Sequence, residues 1–203
     1  LYDASQGNVN TLKRIAEELS QRQLHNDALV FLSQARIESQ NSKAYALDFA
    51  KNYSVLGNNP KMIAEYVNFA SQQASHISYI KNILQDLLLD ESIKEILEKE
   101  LIIRSQKYPD DVLYNDLLMW LYIQGNNYYG AFVQAKAIDR KSQKKGSTVM
   151  QVAKVAYDNQ AYGDAVLFYD YIVTKSNHKS MLEKAQFLSL LSKEKKLSDK
   201  QPI

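Results

Sequence analysis

Small and apolar residues return to the same places along this chain every 34 residues. One column reads Ala16, Ala50, Leu84, Leu118, and the residue before each reads Ile15, Phe49, Ile83, Leu117. Three residues further on, the column is Leu19, Tyr53, Leu87, Leu121. Ala28, Met62 and Ile96 form a later column, and Ala35, Phe69 and Ile103 a last one. One extra residue enters in the run Gln124-Gly125-Asn126-Asn127-Tyr128. The columns then resume as Ala131 with Ala165, Ile138 with Ile172 and Ala153 with Phe187. A fixed period of this size signals an array of one structural unit, each copy burying its apolar side against the next.

Each row carries two apolar stripes at helical spacing. Leu12, Ile15, Ala16 and Leu19 lie on one face of a 3.6-period helix, and Ala28, Leu32 and Ala35 on a second. Between the stripes stand polar, turn-like segments: residues 21–26, Gly57-Asn58-Asn59-Pro60, Leu89-Asp90-Glu91-Ser92, the Gly125 run and Asp158-Asn159-Gln160. Gly and Asn suit helix C-termini because they tolerate positive φ. Pro60 fits the first turn of the next helix, and Asp90 and Ser92 suit N-caps. No alternating run bounded by hairpin turns occurs, so the spacing predicts a string of helix pairs without strands.

A 34-residue helix–turn–helix unit with small residues at its helix contacts resembles the tetratricopeptide repeat (TPR) family. The best match is 111–145, through Leu117, Leu118, Leu121, Gly125, Tyr128, Ala131 and Ala135. Residues 146–179 follow through Val152, Ala153, Ala156, Tyr162, Ala165 and Tyr169. Residues 9–42 lack the turn glycine, and 43–76 carry Met62 in place of the second-helix Ala. In 77–110, Leu84 and Ile96 replace small residues and Glu100 enters an apolar column, so this unit is expected to be splayed or rotated. The resemblance implies an all-α, right-handed α-solenoid over 9–192, with a closing helix at 180–192. Residues 1–8 read as a linker or the end of a preceding repeat, and 193–203 as a polar, fraying tail.

Composition narrows function less than fold. The 203 residues are 45% hydrophobic and 24% charged, with a formal net charge of +2, which selects no class of partner. The absence of cysteine excludes disulfides, thiol nucleophiles and cysteine-based zinc sites. No apolar run approaches the ~20 residues a membrane-crossing helix needs. The chain opens on Leu1, without an initiator Met or signal peptide, and reads as a segment of something longer, with cytoplasmic and exported (periplasmic) locations both open.

The catalytic search finds little. His25, His76 and His178 include no pair at i, i+4 and read as exposed loop histidines rather than metal ligands. The six glycines form no phosphate loop or nucleophile elbow. The carboxylate pairs Asp110-Asp111 and Asp90-Glu91 fall at helix starts, where capping explains them. Neither cofactor nor metal is expected, and the segment reads as non-enzymatic. Arg140, Lys141, Lys144 and Lys145 cluster between the fourth and fifth units. Contact with nucleic acid through 140–145 is one reading. Without interleaved aromatic residues, a solvated loop is favoured, so no nucleic-acid partner is expected.

What remains is a surface. In the solenoid that the resemblance implies, first helices line a concave groove. The groove candidates are Lys51, Lys81, Gln85, Asn115, Met119, Tyr122, Met150, Lys154 and Tyr157. Aromatic and Met side chains make buried interface anchors, so Met119, Tyr122, Met150 and Tyr157 are expected to supply affinity, and Lys51, Lys81 and Lys154 register. The rival is that these residues pack on a neighbouring helix or a terminal segment. Trp120 is expected to seal adjacent repeats. Some members of the resembled family clamp a C-terminal carboxylate with a Lys/Asn/Arg set. Lys13 fits one place, but Glu17 and Asp48 occupy others, and Lys81 is followed by Gln85 and Asp116, so that ligand is rejected. The expectation is a scaffold for a peptide or protein segment, with a homodimer through the terminal helix as a further possibility. The alternative is a repeat domain positioning a catalytic or membrane-anchored part outside this segment.

Overall fold

The computed structural model describes residues 8–198. They form eleven helices and, among the described residues, no strand. In chain order these are α1 (Val9–Gln21), α2 (His25–Glu38), α3 (Ala46–Val55), α4 (Asn59–Ala70), α5 (His76–Leu87), α6 (Glu91–Lys107), α7 (Val112–Gln124), α8 (Tyr128–Ser142), α9 (Ser147–Asp158), α10 (Tyr162–Lys175) and α11 (Lys179–Ser198). The protein is a helical-repeat protein built from antiparallel helix pairs. Its contacts divide it into two compact units, Leu1–Glu100 and Leu101–Ile203, with the division inside α6.

The repeat is visible in the backbone of the turns. Gln23 (φ 63°), Gly57 (φ 68°), Asn126 (φ 55°) and Gln160 (φ 62°) are all left-handed. One residue after each, an N–H reaches back five positions: Leu24 to Leu19 O at 2.9 Å, and Asn58 to Tyr53, Asn127 to Tyr122 and Ala161 to Ala156, each at 2.8 Å. Together with the N–H of the left-handed residue, this closes the Schellman-like end that satisfies orphan helix carbonyls. The same residue's carbonyl then accepts from Ala28, Met62, Ala131 or Ala165, opening the second helix. Gly125 is not the left-handed residue: its φ is −88°, and Asn126 takes that conformation.

In the first unit, α1 pairs with α2 and α3 with α4, and α2 also packs on α3. Ala16, Leu32 and Phe49 form a buried cluster flanked by Leu29, Phe31, Tyr45 and Tyr53. Ala28, Ala35 and Ala50 are fully buried, so the small columns are where helices meet most closely. An ion pair joins the second helices of successive repeats. Arg36 donates to both carboxylate oxygens of Glu65, at 2.7 and 2.9 Å, and to the Ala44 carbonyl at 2.8 Å. Its guanidinium lies 3.8 Å from the centre of the Phe49 ring.

The α5–α6 segment departs from the pattern. No residue of Leu88-Leu89-Asp90 is left-handed, unlike the corresponding point of the other turns. Asp90 caps α6 by accepting from the Ser92 N–H at 2.9 Å. The buried stripe of α6 is then Ile93, Leu97 and Leu101. Ile96 is only half-buried and Ile103 is 49% exposed, so the expected columns fail in this helix. The early helix start turns the apolar stripe onto different residues.

In the second unit, α7 with α8, α8 with α9, α9 with α10, and α10 with α11 pack in succession. One core cluster runs through them, including Phe132, Ala135, Val152, Ala153, Phe168 and Tyr169. The Phe132 and Phe168 rings stack at 4.4 Å. Helix α11 runs to Ser198, beyond the expected end at 192. Lys193, expected to open a fraying tail, donates to Asp170 of α10 at 3.2 Å, and Ser189 donates to the same oxygen. Small Ala185, Ser189 and Ser192 face the packing. Phe187, expected to continue a column, is 66% exposed, and Leu190 beside it equally so. A close helix contact takes the small residues and turns the large ones outward. Residues 1–7 and 199–203 of the expected linker and tail lie outside the described residues.

Candidate protein-binding surface

Helices α7 and α9 are the first helices of the two best-formed pairs, and they bring four of the nine groove candidates onto one core. Met119, Tyr122, Met150 and Tyr157 are all partly buried and packed against the second unit's cluster, together with Ile123. Partial burial fixes their rotamers while leaving apolar surface in water, which is how an anchor site is prepared. The Tyr157 ring meets Tyr162 edge-on at 5.4 Å, holding it in place from the second helix. Lys154 is exposed beside them and pairs with Asp158 one turn on, a surface ion pair of small energetic consequence.

Asn115 departs from its expected place. It is buried, donates to Gln134 of α8 at 2.8 Å and accepts from Lys141 at 2.6 Å. It tethers the two helices of its own pair, because a buried amide must find partners. Its place on a first helix put it among the groove candidates, and nothing in the residue type signalled otherwise.

The other three candidates belong to the first unit. Lys51 is exposed on the wall of a cavity of about 230 Å³ that it shares with Glu17, Asp48 and Asn52. Lys13 and Glu17 pair at 3.0 Å. Burial raises the Asp48 carboxyl above its usual range, against the lowering pull of Lys13 and Lys51. Two carboxylates in this cavity disfavour an anionic ligand. Lys81 is half-buried and Gln85 exposed on α5.

His25 and His76 open helices and are half-buried, contrary to expectation, whereas His178 is exposed in a loop as expected. His25 Nδ1 lies 2.9 Å from Asn52 Oδ1, which also accepts from Ser20. His76 stacks on Phe69 at 3.9 Å. His178 Nε2 lies 2.9 Å from Lys145 Nζ. The three stand apart, and among the described residues no group of carboxylates and histidines converges as a metal site would. Asp111, at the start of α7, caps it by accepting from the Leu113 N–H at 2.9 Å. Tyr169 is buried, and burial, then Asp158 and Tyr157, push its hydroxyl up to about 12.

The basic run 140–145 does not form a continuous face. Lys141 turns inward to Asn115, whereas Arg140 and Lys145 line a cavity. No helix among the described residues is long and apolar enough to cross a membrane.

No protein-family model matches the chain. No curated protein matches it either. Among solved structures, one described as the functional characterization of Pseudomonas aeruginosa pilF is similar at 15% identity, covering 95% of this chain and 93% of that chain, with a TM-score of 0.37. A superposition of that quality carries no argument about what this chain binds.

Proposed function

We propose that this chain is a TPR-type scaffold without catalytic activity of its own, and that it holds a peptide or protein segment on the first-helix face of its second unit. The observation that carries this reading is the half-buried set Met119, Tyr122, Met150 and Tyr157, packed on one core from two successive first helices. Met side chains adapt to irregular partners and Tyr supplies rigid area with a polar tip. Exposed Lys154 supplies register at the edge.

Peptide-display selection on the full chain, followed by calorimetry, tests this. Selected peptides should share an apolar anchor. Tyr122→Ala and Tyr157→Ala should each weaken them by about tenfold, an interface anchor contributing more than about 1 kcal/mol. Peptides that bind both variants as well as the parent chain would refute the assigned face.

A further inference from the structure

A cavity in the second unit lies away from that face, and its charge is unlike the rest of the protein. It measures about 940 Å³. Three pieces of chain build it. Helix α8 contributes Lys136 and Arg140, the turn before α9 contributes Lys145 and Gly146, and the end of α10 with the following turn contributes Lys175 and His178. Among the described residues, the one carboxylate lining it is Asp139, and that carboxylate is already engaged. It accepts from the backbone N–H groups of Thr148 at 3.0 Å and Val149 at 3.1 Å, capping α9.

Four cations thus face one cavity against one committed anion, whereas the whole chain carries a formal net charge of only +2. The turn geometry enforces this. Gln143, Lys145 and Gly146 all adopt left-handed backbone, with φ 53°, 53° and 98°. A non-glycine residue in that region costs about 1 kcal/mol, as at the other left-handed turns of this chain. It sets Lys145 Nζ beside His178. Lys136 lies over the Phe132 and Tyr171 rings, 4.4 and 5.5 Å from their centres. The remaining wall combines Val133, Ala137, Tyr171 and Ile172 with polar Ser176 and Asn177.

We propose that this cavity binds a phosphate ester with an apolar or aromatic body, its phosphate among Arg140, Lys145 and Lys175 and its body against Tyr171 and Ile172. A phosphate monoester carries close to two negative charges at neutral pH, which matches several cations lining one cavity better than a single carboxylate does. Arginine adds paired N–H donors suited to its oxygens. The volume lies in the range of about 300–1,000 Å³ typical of small-molecule pockets.

The test is calorimetry of the full chain at low salt with phenyl phosphate, with phenol, inorganic phosphate and a synthetic acidic–apolar peptide in parallel. Phenyl phosphate should bind more tightly than either of its halves, and added salt should weaken it. The double variant Arg140→Ala/Lys175→Ala should lose at least tenfold in affinity. A control with the same charge change elsewhere, at exposed Lys99 and Lys195 (Lys99→Ala/Lys195→Ala), should keep binding, and circular dichroism checks both folds. Vesicles containing phosphatidic acid distinguish the sources of the group: co-sedimentation competed by phenyl phosphate assigns a lipid headgroup, and its absence a soluble ester. No binding of phenyl phosphate, equal loss in both double variants, or preference for the acidic peptide would each overturn the proposal.

Discussion

Arg36 and Glu65 sit 29 residues apart and meet with two hydrogen bonds, their side chains only 17% and 10% exposed. Such a pair contributes little net stability over an apolar replacement, yet removing one partner strands a charge. Glu65→Ala should therefore destabilise the fold by about 3 kcal/mol, and Arg36→Met/Glu65→Leu should recover most of that loss, read from urea unfolding midpoints. No column showed this pair, because charged residues at helical spacing read as a solvated face until the neighbouring helix is in place. Asn115 and His25 were obscured in the same way: their partners, Gln134 and Asn52, stand on other helices. Tyr169 gives a pH prediction with a definite sign. Its pKa lies at about 12 in the fold, above the ordinary tyrosine value of about 10. Its contribution is therefore complete below pH about 10 and is lost as pH rises through about 12. Tyr169→Phe should flatten the fall in stability across that interval relative to the parent chain.

At the scale of the element, the turns carry the repeat more faithfully than the apolar columns do. Four turns place a left-handed residue at the same point and close it with the same backward hydrogen bond. Three of those four residues are not glycine, so the feature was only partly legible: Gly57 announced itself, while Gln23 and Gln160 gave no signal. A Cβ at Gly57 would meet nothing within 4 Å, so its only cost is conformational. Gly57→Ala should destabilise the fold by about 1 kcal/mol without altering its helical circular dichroism. The α5–α6 segment illustrates the reverse case. Its departure was legible in Leu84, Ile96 and Glu100, but the buried stripe of Ile93, Leu97 and Leu101 was not. Counting from the previous row assumes an unchanged helix start, and Asp90 caps α6 too early for that count. Helix α11 failed for a different reason. Its apolar residues suggested which face would pack, and the close approach to α10 selected Ala185 and Ser189 instead.

At the scale of the whole molecule, two compact units each build a core from helix pairs, and the second carries the features on which the proposed function rests. The periodic columns made the helix pairs readable from sequence because each pair must bury the same stripe. They did not separate residues that carry a partner from residues that carry a neighbour, since a Met or Tyr half-buried on a first helix satisfies both descriptions. Nor did they reveal the cationic cavity, whose residues are drawn from α8, α10 and two turns. The four methionines are well placed to decide the matter. Met62 is buried in the first unit, Met119 and Met150 belong to the proposed face, and the Met181 sulfur lies 3.4 Å from where a Cβ on Gly146 would stand, beside the cavity. Carbon-13 methyl spectra of the methionines, recorded while a display-selected peptide is titrated into the full chain, test the central claim most directly. The account predicts that Met119 and Met150 shift together and saturate with the binding curve while Met62 and Met181 stay in place. Saturated binding with Met119 and Met150 unmoved would contradict it.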